Sequence, residues 1–586
     1  MTAPTVAPAG WRRIAADHAK ALTLLATALV AAVVALPILV FPQLDPDDYR
    51  YLDLVRRLRA GSVDWLSASI VENRWDHLWW VDSEAVVRFF RPALMLSYLG
   101  DDLLHGGHAR GLLLTNALLY IATCLVVAVL LRRLLPPFSA VLGSVLFAAF
   151  AAHAETIWYV AGRNETLAAL GFLGGLCLHA APGRARRLAP ACYAFALTAK
   201  ELTLPLPVLA LAYDRFVAGR APTLLGCLRA APALWAGYAA IALLYLALRQ
   251  GVIAAAGGSD LVYPYFVAPG RPDFALHVWH QLRSYGENLL LGAVTPPFLR
   301  ADQVAAHTSA LGGVLVCVLP VAVFALLRRD ARAWWFAALA FCTWLPTSVV
   351  YVSERYAFLP SFAVAGIAGL CVARLAAVRA GALRLSAPAA AVVLLWTAHQ
   401  ASVLHRKNRV ISQTPHGAVA VHEHLAGLRD RIPPDRPIYV LGLPLDVFGA
   451  QFLHHLARVA LDDPRRECHV LTVLPDPHDW PQVQSTAVRK VAPDAIEVRG
   501  TPALMLHSRW QFPWTGLAAG TEIARARTGC RVRILEGEPT RCTAVRFTLP
   551  RPVDECVFLR FTLLASSVPM PHGALVRHGS LDIIKP

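Results

Sequence analysis

Apolar and polar positions along this chain fall into long alternating blocks. Residues 21–40 are nearly free of charge, and at 1.5 Å per residue a helix of that length crosses a bilayer core of roughly 30 Å. Comparable blocks follow at 111–131, 138–152, 166–181, 188–214, 231–248, 310–327, 333–352, 362–373 and 387–404. The block 188–214 differs from the others. Lys200 and Glu201 stand at its centre, with Pro205 and Pro207 just beyond. A charge at the middle of a lipid-facing helix costs about 2.5–3.5 kcal/mol. Two charges and two prolines therefore predict two short helices joined at a polar break, and a total of about eleven crossings.

The polar segments between the blocks sort by chemistry. Arg12 and Arg13, Arg132 and Arg133, Arg184 to Arg187, Arg215 to Arg229, Arg328 and Arg329, and Arg374 to Arg384 fall on one side of that topology. Asp45, Asp47 and Asp48, then His153, Glu155 and Arg163, then Lys200 and Glu201, then Glu354 and Arg355, fall on the other. Basic inner loops are the usual orientation signal, so the second group is expected outside. The sorting holds only if 188–214 folds back on itself. The first block ends in Pro-Gln-Leu-Asp, unlike a small-residue cleavage site, so no separate signal peptide is expected.

Composition agrees with a membrane protein. The 586 residues are 56% hydrophobic and 16% charged, against the quarter charged residues of a typical soluble domain. The net charge of +16 resides largely in arginine runs beside apolar blocks, which argues for lipid headgroups and against nucleic acid. Residues 1–20 read as a cytoplasmic basic head, 21–405 as the membrane domain with large outer loops at 43–108 and 250–308, and 406–586 as an outward-facing soluble domain.

In the first loop, 51–59 has the pattern of an amphipathic helix with Arg56, Arg57 and Arg59 on its polar side. Trp75, His77, Trp79 and Trp80 suggest anchoring at the membrane interface. The second loop holds YPYF at 263–266 and a helical stretch at 275–291, whose His277, His280, Arg283 and Glu287 share one face. Solvated histidines are the expected reading there, ahead of a metal site. In the soluble part, 437–444, 447–461 and 469–474 read as strand, helix and strand, and 531–535, 543–549 and 557–564 as β-hairpins, giving an α/β or α+β domain. Cys530 and Cys542 flank one such hairpin and are expected to pair in an oxidising compartment. Cys468 and Cys556 are a weaker pairing. No C-x-x-C motif supports zinc.

Ionisable groups at the outer ends of several helices suggest group-transfer chemistry on a lipid-anchored substrate. A general base must lie within hydrogen-bond reach of the acceptor hydroxyl. A departing phosphate needs cationic donors as its charge develops. The carboxylates Asp45, Asp47, Asp48 and Glu155 and the cations Arg91, Arg163, Lys200 and Arg355 supply both kinds of group. The plainer alternative is that the aspartates cap a turn and that Lys200 and Glu201 satisfy each other.

Five segments occur in order over the first 400 residues: DPDDY at 45–49, FFRPALMLSYLGDDLLHG at 89–106, HAETIWYVAGRNETLAA at 153–169, TAKELTLPLPVL at 198–209 and SERYAFLPS at 353–361. With this topology they resemble the GT-C superfamily of integral-membrane glycosyltransferases, in particular the transmembrane, tetratricopeptide-repeat O-mannosyltransferases and their bacterial relatives. The resemblance implies inverting transfer of a sugar from a polyprenyl-phosphate donor to an acceptor on the outer face, with an acid of the first outer loop as base. That role maps onto Asp47 or Asp48, and less well onto Asp45. Arg163, Lys200, Arg355 and Arg91 would bind donor phosphate, and His153, Glu155 and Glu201 would face the acceptor or sugar. A divalent metal such as Mg or Mn is compatible with paired aspartates. The acceptor, whether protein, glycan or lipid, is left open. Residues 410–586 lack the 34-residue repeat of the mannosyltransferases. The Ala-, Arg- and Leu-rich composition suggests a bacterial protein, expected in the inner membrane with the active side and the C-terminal domain facing the periplasm or exterior. A lipid-linked sugar flippase and a non-catalytic envelope scaffold are the alternatives.

Overall fold

The computed structural model describes residues 9–81, 85–260, 266–293, 309–376, 379–380, 383–413, 417–444, 447–473, 485–501, 504–506, 516–525, 527–562 and 580–586. Of the expected features, residues 263–265 of YPYF, Leu474 and residues 563–564 lie outside these. The chain forms two compact units. One comprises Met1–Val40, Leu113–Gln250 and Val267–Val410; the other comprises Phe41–Leu112, Gly251–Phe266 and Ile411–Pro586.

The first unit is helical. Among the described residues six helices are long and apolar enough to cross a membrane, and a seventh results if Pro137–Ala149 and Ala151–Trp158, which meet at 47°, form one broken span. The remaining predicted crossings exist as helices, but shorter ones: Arg163–His179 has 17 residues, Ala189–Ala199 has 11, Leu206–Ala212 has 7 and Ala331–Trp344 has 14. A full crossing needs about 20 residues. The interruptions carry polar side chains inside protein, the setting in which irregular backbone is tolerated at membrane depth.

The block 188–214 folds as a hairpin. Ala189–Ala199 ends where Lys200 turns extended, with φ −162° and ψ 136°. A 3-10 turn, Glu201–Thr203, follows, and Leu206–Ala212 returns. Arg163–His179 packs against both arms. A Cβ placed on Gly171 would lie 2.9 Å from Ala196, and one on Gly175 would lie 3.0 Å from Leu206 and 3.5 Å from Cys192. Glycine thus permits the close approach of helices favoured in membranes. At one end of this three-helix group Lys200 is ion-paired with Glu165. At the other, Asp214 accepts from His179 at 2.9 Å and Arg220 at 2.7 Å and is ion-paired with Arg186.

The second unit combines helices with two larger sheets. Pro46–Arg59 is the expected amphipathic helix, begun five residues earlier. Strands Ile70–Arg74 and Val86–Phe90 pair antiparallel. Cys468–Val470, Ile438–Leu441 and Val557–Thr562 form successive parallel pairs, with Ser580–Ile584 antiparallel at the edge. The first two strands with the helix Leu453–Leu461 make the expected strand–helix–strand unit. Val557–Thr562 belongs to this sheet, pairing antiparallel with Ser580–Ile584 and parallel with Ile438–Leu441. A six-stranded antiparallel sheet contains the hairpin Arg531–Glu538/Arg541–Thr548 and the unforeseen hairpin Ser485–Ala492/Ala495–Thr501.

Two expectations are corrected here. Register pairs Arg531 with Thr548 and Gly537 with Cys542, so Cys530 and Cys542 stand at opposite ends of their hairpin. Six strand steps of about 3.3 Å exceed what a disulfide spans, and all eleven cysteines are free thiols. The tryptophans are not interfacial anchors. Trp75, Trp79 and Trp80 are buried in the second unit, where Trp79 Nε1 donates to the Leu471 carbonyl at 2.7 Å. Large rings whose N–H finds a buried acceptor are core material.

Candidate functional site

In the helical unit, the segment 150–163 bends away from the membrane helix before it and places Glu155 against Ser353–Arg355. One Glu155 oxygen is ion-paired with Arg355 at 3.1 Å. The other accepts from the Ser353 hydroxyl at 2.7 Å and the Arg355 amide at 3.2 Å. The Arg355 guanidinium lies over the rings of Tyr159 at 5.3 Å and Tyr356 at 5.5 Å, and donates to the Tyr351 hydroxyl. Lys200, paired with Glu165, has its Nζ 4.6 Å from the Tyr356 ring centre. Two cations on different helices therefore share one aromatic ring, each held by its own carboxylate. Cation–π attraction of this kind restrains a charge without neutralising it.

Arg163 is fully buried. Its Nε donates to Asn116 Oδ1 at 2.6 Å, and the Asn116 amide donates to the carbonyls of Ile157 at 3.2 Å and Tyr159 at 3.3 Å. Lys407 donates to Glu354 at 2.8 Å and to the carbonyls of Ala293 at 3.2 Å and Ala151 at 3.4 Å. Glu201 is half-buried on the turn after Lys200. His153 stands apart. It is packed among Phe147, Phe150 and Phe358, with Tyr120 3.0 Å from Nδ1 and Ser361 2.8 Å from Nε2. Both ring nitrogens of His153 are engaged within the helical core. The first unit thus brings together Glu155 with Arg355 and Lys200 with Glu165, and adds Asn116, Ser353, Tyr356 and Lys407.

In the second unit the three aspartates divide by role. Asp45 is the N-cap of Pro46–Arg59, its carboxylate accepting from the Asp47 amide at 3.2 Å. Asp48 completes a capping box by accepting from the Asp45 amide at 2.8 Å, and its other oxygen accepts from the Tyr98 hydroxyl at 3.2 Å. Such reciprocal capping satisfies helix-end donors. Asp47 does neither. It is ion-paired with Arg50, whose guanidinium also donates to the Glu72 carbonyl at 2.7 Å and to Asn73 Oδ1 at 2.8 Å. Tyr51, stacked on Tyr98 at 4.7 Å, has its phenol pushed up to about 12 by burial, with Asp47 acting in the same direction against Arg50 and Arg91. Arg91 precedes the helix Pro92–His105, with its guanidinium 4.6 Å over the Phe89 ring.

Elsewhere His277 and His280 are buried, not solvated, and His277 Nε2 lies 3.0 Å from the Val350 carbonyl. Among the described residues no group of three or more His, Cys, Asp or Glu side chains is placed to hold a metal ion.

The chain is thus a largely helical, polytopic membrane protein with a strand-containing second unit. No family model and no curated protein matches it. Among solved structures it is similar to ArnT from Cupriavidus metallidurans bound to undecaprenyl phosphate, at 15% identity over 77% of this chain and 90% of that one, with a TM-score of 0.42. It is also similar to the Archaeoglobus fulgidus oligosaccharyltransferase in the apo form, at 12% identity over 78% of this chain and 64% of that one, with a TM-score of 0.47. The archaeal oligosaccharyltransferase AglB from Archaeoglobus fulgidus, in complex with an inhibitory peptide and a dolichol-phosphate, matches at 13% identity over the same shares, with a TM-score of 0.44.

Proposed function

We propose that this protein is a membrane glycosyltransferase of the GT-C kind, moving a sugar from a polyprenyl-phosphate donor to an acceptor on the outer face of a bacterial inner membrane. The observation that carries the reading is the cation group of the helical unit. Arg355 and Lys200 are charged groups held beside one tyrosine, each with a carboxylate partner. Buried cations are costly unless paired, and a donor phosphate offers them a stronger, multidentate partner. Arg163 joins them in the same role, and Glu155 and Glu201 are assigned to the sugar or acceptor side.

The reaction is an inverting displacement. The acceptor oxygen bonds to the anomeric carbon, the bond from that carbon to the phosphate oxygen breaks, and polyprenyl phosphate leaves with the electron pair. The cations offset the charge that develops on the phosphate. Asp47 takes the acceptor proton. It is chosen over Asp45 and Asp48 because its carboxylate is not consumed in capping the helix, and because Arg50 fixes its orientation.

The test is transfer of radiolabelled sugar from polyprenyl-phosphate donors into membrane extract, comparing the wild-type protein with Asp47→Asn. Label moving only with wild type supports the reading and names the sugar. No transfer from any donor by folded protein returns the weight to a flippase or scaffold.

A further inference from the structure

We infer that Asn116 is a positioning residue for Arg163 and so sets affinity for the lipid-phosphate donor. The inference rests on the donor-phosphate role proposed above for Arg163. Asn116 lies in the helix Ala109–Leu134 and is 1% exposed. A buried amide requires partners for its oxygen and its N–H groups, and here all the recorded partners belong to one feature. Its oxygen accepts from Arg163 Nε at 2.6 Å. Its nitrogen donates to the carbonyls of Ile157 and Tyr159, the residues that lead from Glu155 into the helix Arg163–His179.

Asn116 therefore fixes two things at once. It sets the plane of the Arg163 guanidinium, and it holds the turn that carries Glu155 and Tyr159 at a constant distance from that guanidinium. Tyr159 in turn lies under Arg355. An amide suits this task better than a carboxylate. It accepts from the guanidinium without adding a charge of its own, and it donates to the two carbonyls, which a carboxylate cannot do.

The experiment is a double-mutant cycle on the full-length protein in detergent or nanodiscs, using Asn116→Ala, Arg163→Ala and the double variant. Two readouts are taken: binding of polyprenyl phosphate, and KM and kcat for its sugar-loaded form. A hydrogen bond to a charged group is worth roughly tenfold or more in affinity. Asn116→Ala is expected to weaken lipid-phosphate binding and raise donor KM by about that factor, with a smaller change in kcat. The double variant is expected to lose less than the sum of the two single losses, since the Asn116 oxygen acts through that arginine while its nitrogen holds the turn beside it. Asn116→Asp is expected to bind more weakly than Asn116→Ala.

Additive losses in the cycle, or equal losses in kcat and binding that track a lowered melting temperature, overturn the positioning role. Asn116→Ala binding as wild type while Arg163→Ala does not also overturns it, and leaves the glycosyltransferase reading intact. Failure of the folded wild-type protein to bind polyprenyl phosphate overturns both.

Discussion

Asp45, Asp47 and Asp48 show how little a cluster of like residues says about the role of each member. The spacing Asp45-x-x-Asp48 matches a capping box, so the plainer sequence reading, that aspartates close a turn, holds for those two. Asp47 differs from them in that its carboxylate is not part of the capping box and is ion-paired with Arg50. Asparagine caps helices about as well as aspartate but is no base, so an Asp→Asn scan separates the roles. Asp45→Asn and Asp48→Asn are expected to keep both melting temperature and transfer. Asp47→Asn is expected to lose transfer by about 10²–10⁴, the usual worth of a general base, while remaining folded. Asp45→Ala, by contrast, should lower stability by about 1 kcal/mol. Loss of transfer in Asp48→Asn with Asp47→Asn active would move the base to Asp48.

At the level of elements, the hairpin in 188–214 was legible because charge and proline interrupt an apolar block. The partner of Lys200 was not. Adjacent side chains do not face one another, so Lys200 cannot use Glu201 and reaches Glu165 on the packed helix instead. The signal available was the small residues Gly171 and Gly175, which set the level of that packing. Lys407 was missed for a related reason. The last apolar block ends at 404 in sequence, yet the helix Ser386–Gln413 continues through Lys407. The Lys200–Glu165 pair is almost wholly buried, and removing one partner of such a pair costs about 3–5 kcal/mol, whereas replacing both with apolar groups is often neutral. Glu165→Leu is therefore expected to lower the melting temperature in detergent sharply, and the double variant Glu165→Leu/Lys200→Met to recover most of the loss. Equal melting temperatures for the single variant and wild type would remove this pair from the fold's supports.

On the scale of the whole chain, the sequence conveyed the crossings that are continuous helices and the local strand–helix–strand unit. It did not convey what segments far apart in sequence bury between them. The tryptophans of 75–80 are core residues because residues some 390 positions later cover them. The same burial gathers a histidine group in the second unit. His77 meets His454 edge-on at 5.7 Å, His454 lies 3.9 Å from His455, and His455 Nδ1 is 2.7 Å from Asp53. Arg458 approaches Asp53 at 3.3 Å, Asp76 faces Arg74 at 2.8 Å and Arg527 at 3.8 Å, and His469 stacks on Tyr439. Burial lowers His77, His454 and His455 below the usual histidine value, with His77 and His455 partly restored by Asp76 and Asp53, and takes His469 to about 4. Asp76 is held at about 2: burial would raise it, but His77 and Arg74 outweigh that.

An unfolded histidine titrates near 6.5. Below there the unfolded chain thus binds more protons than the folded unit, for His469 down to about 4, and stability falls as pH falls. Each depressed histidine contributes up to about 1.4 kcal/mol per pH unit in that window. Asp76 adds no slope there, because it stays ionised in both states until pH drops below about 4. Protection against hydrogen exchange, relative to the intrinsic rate at each pH, is expected to fall in the strand Ile70–Arg74 and the helix Leu453–Leu461 between pH 7 and pH 5. Replacing His454, the histidine with no carboxylate among its recorded partners, by leucine should flatten that dependence, whereas Asp76→Asn should not. An unchanged pH profile in His454→Leu would mean that the acid sensitivity of the unit arises from other groups.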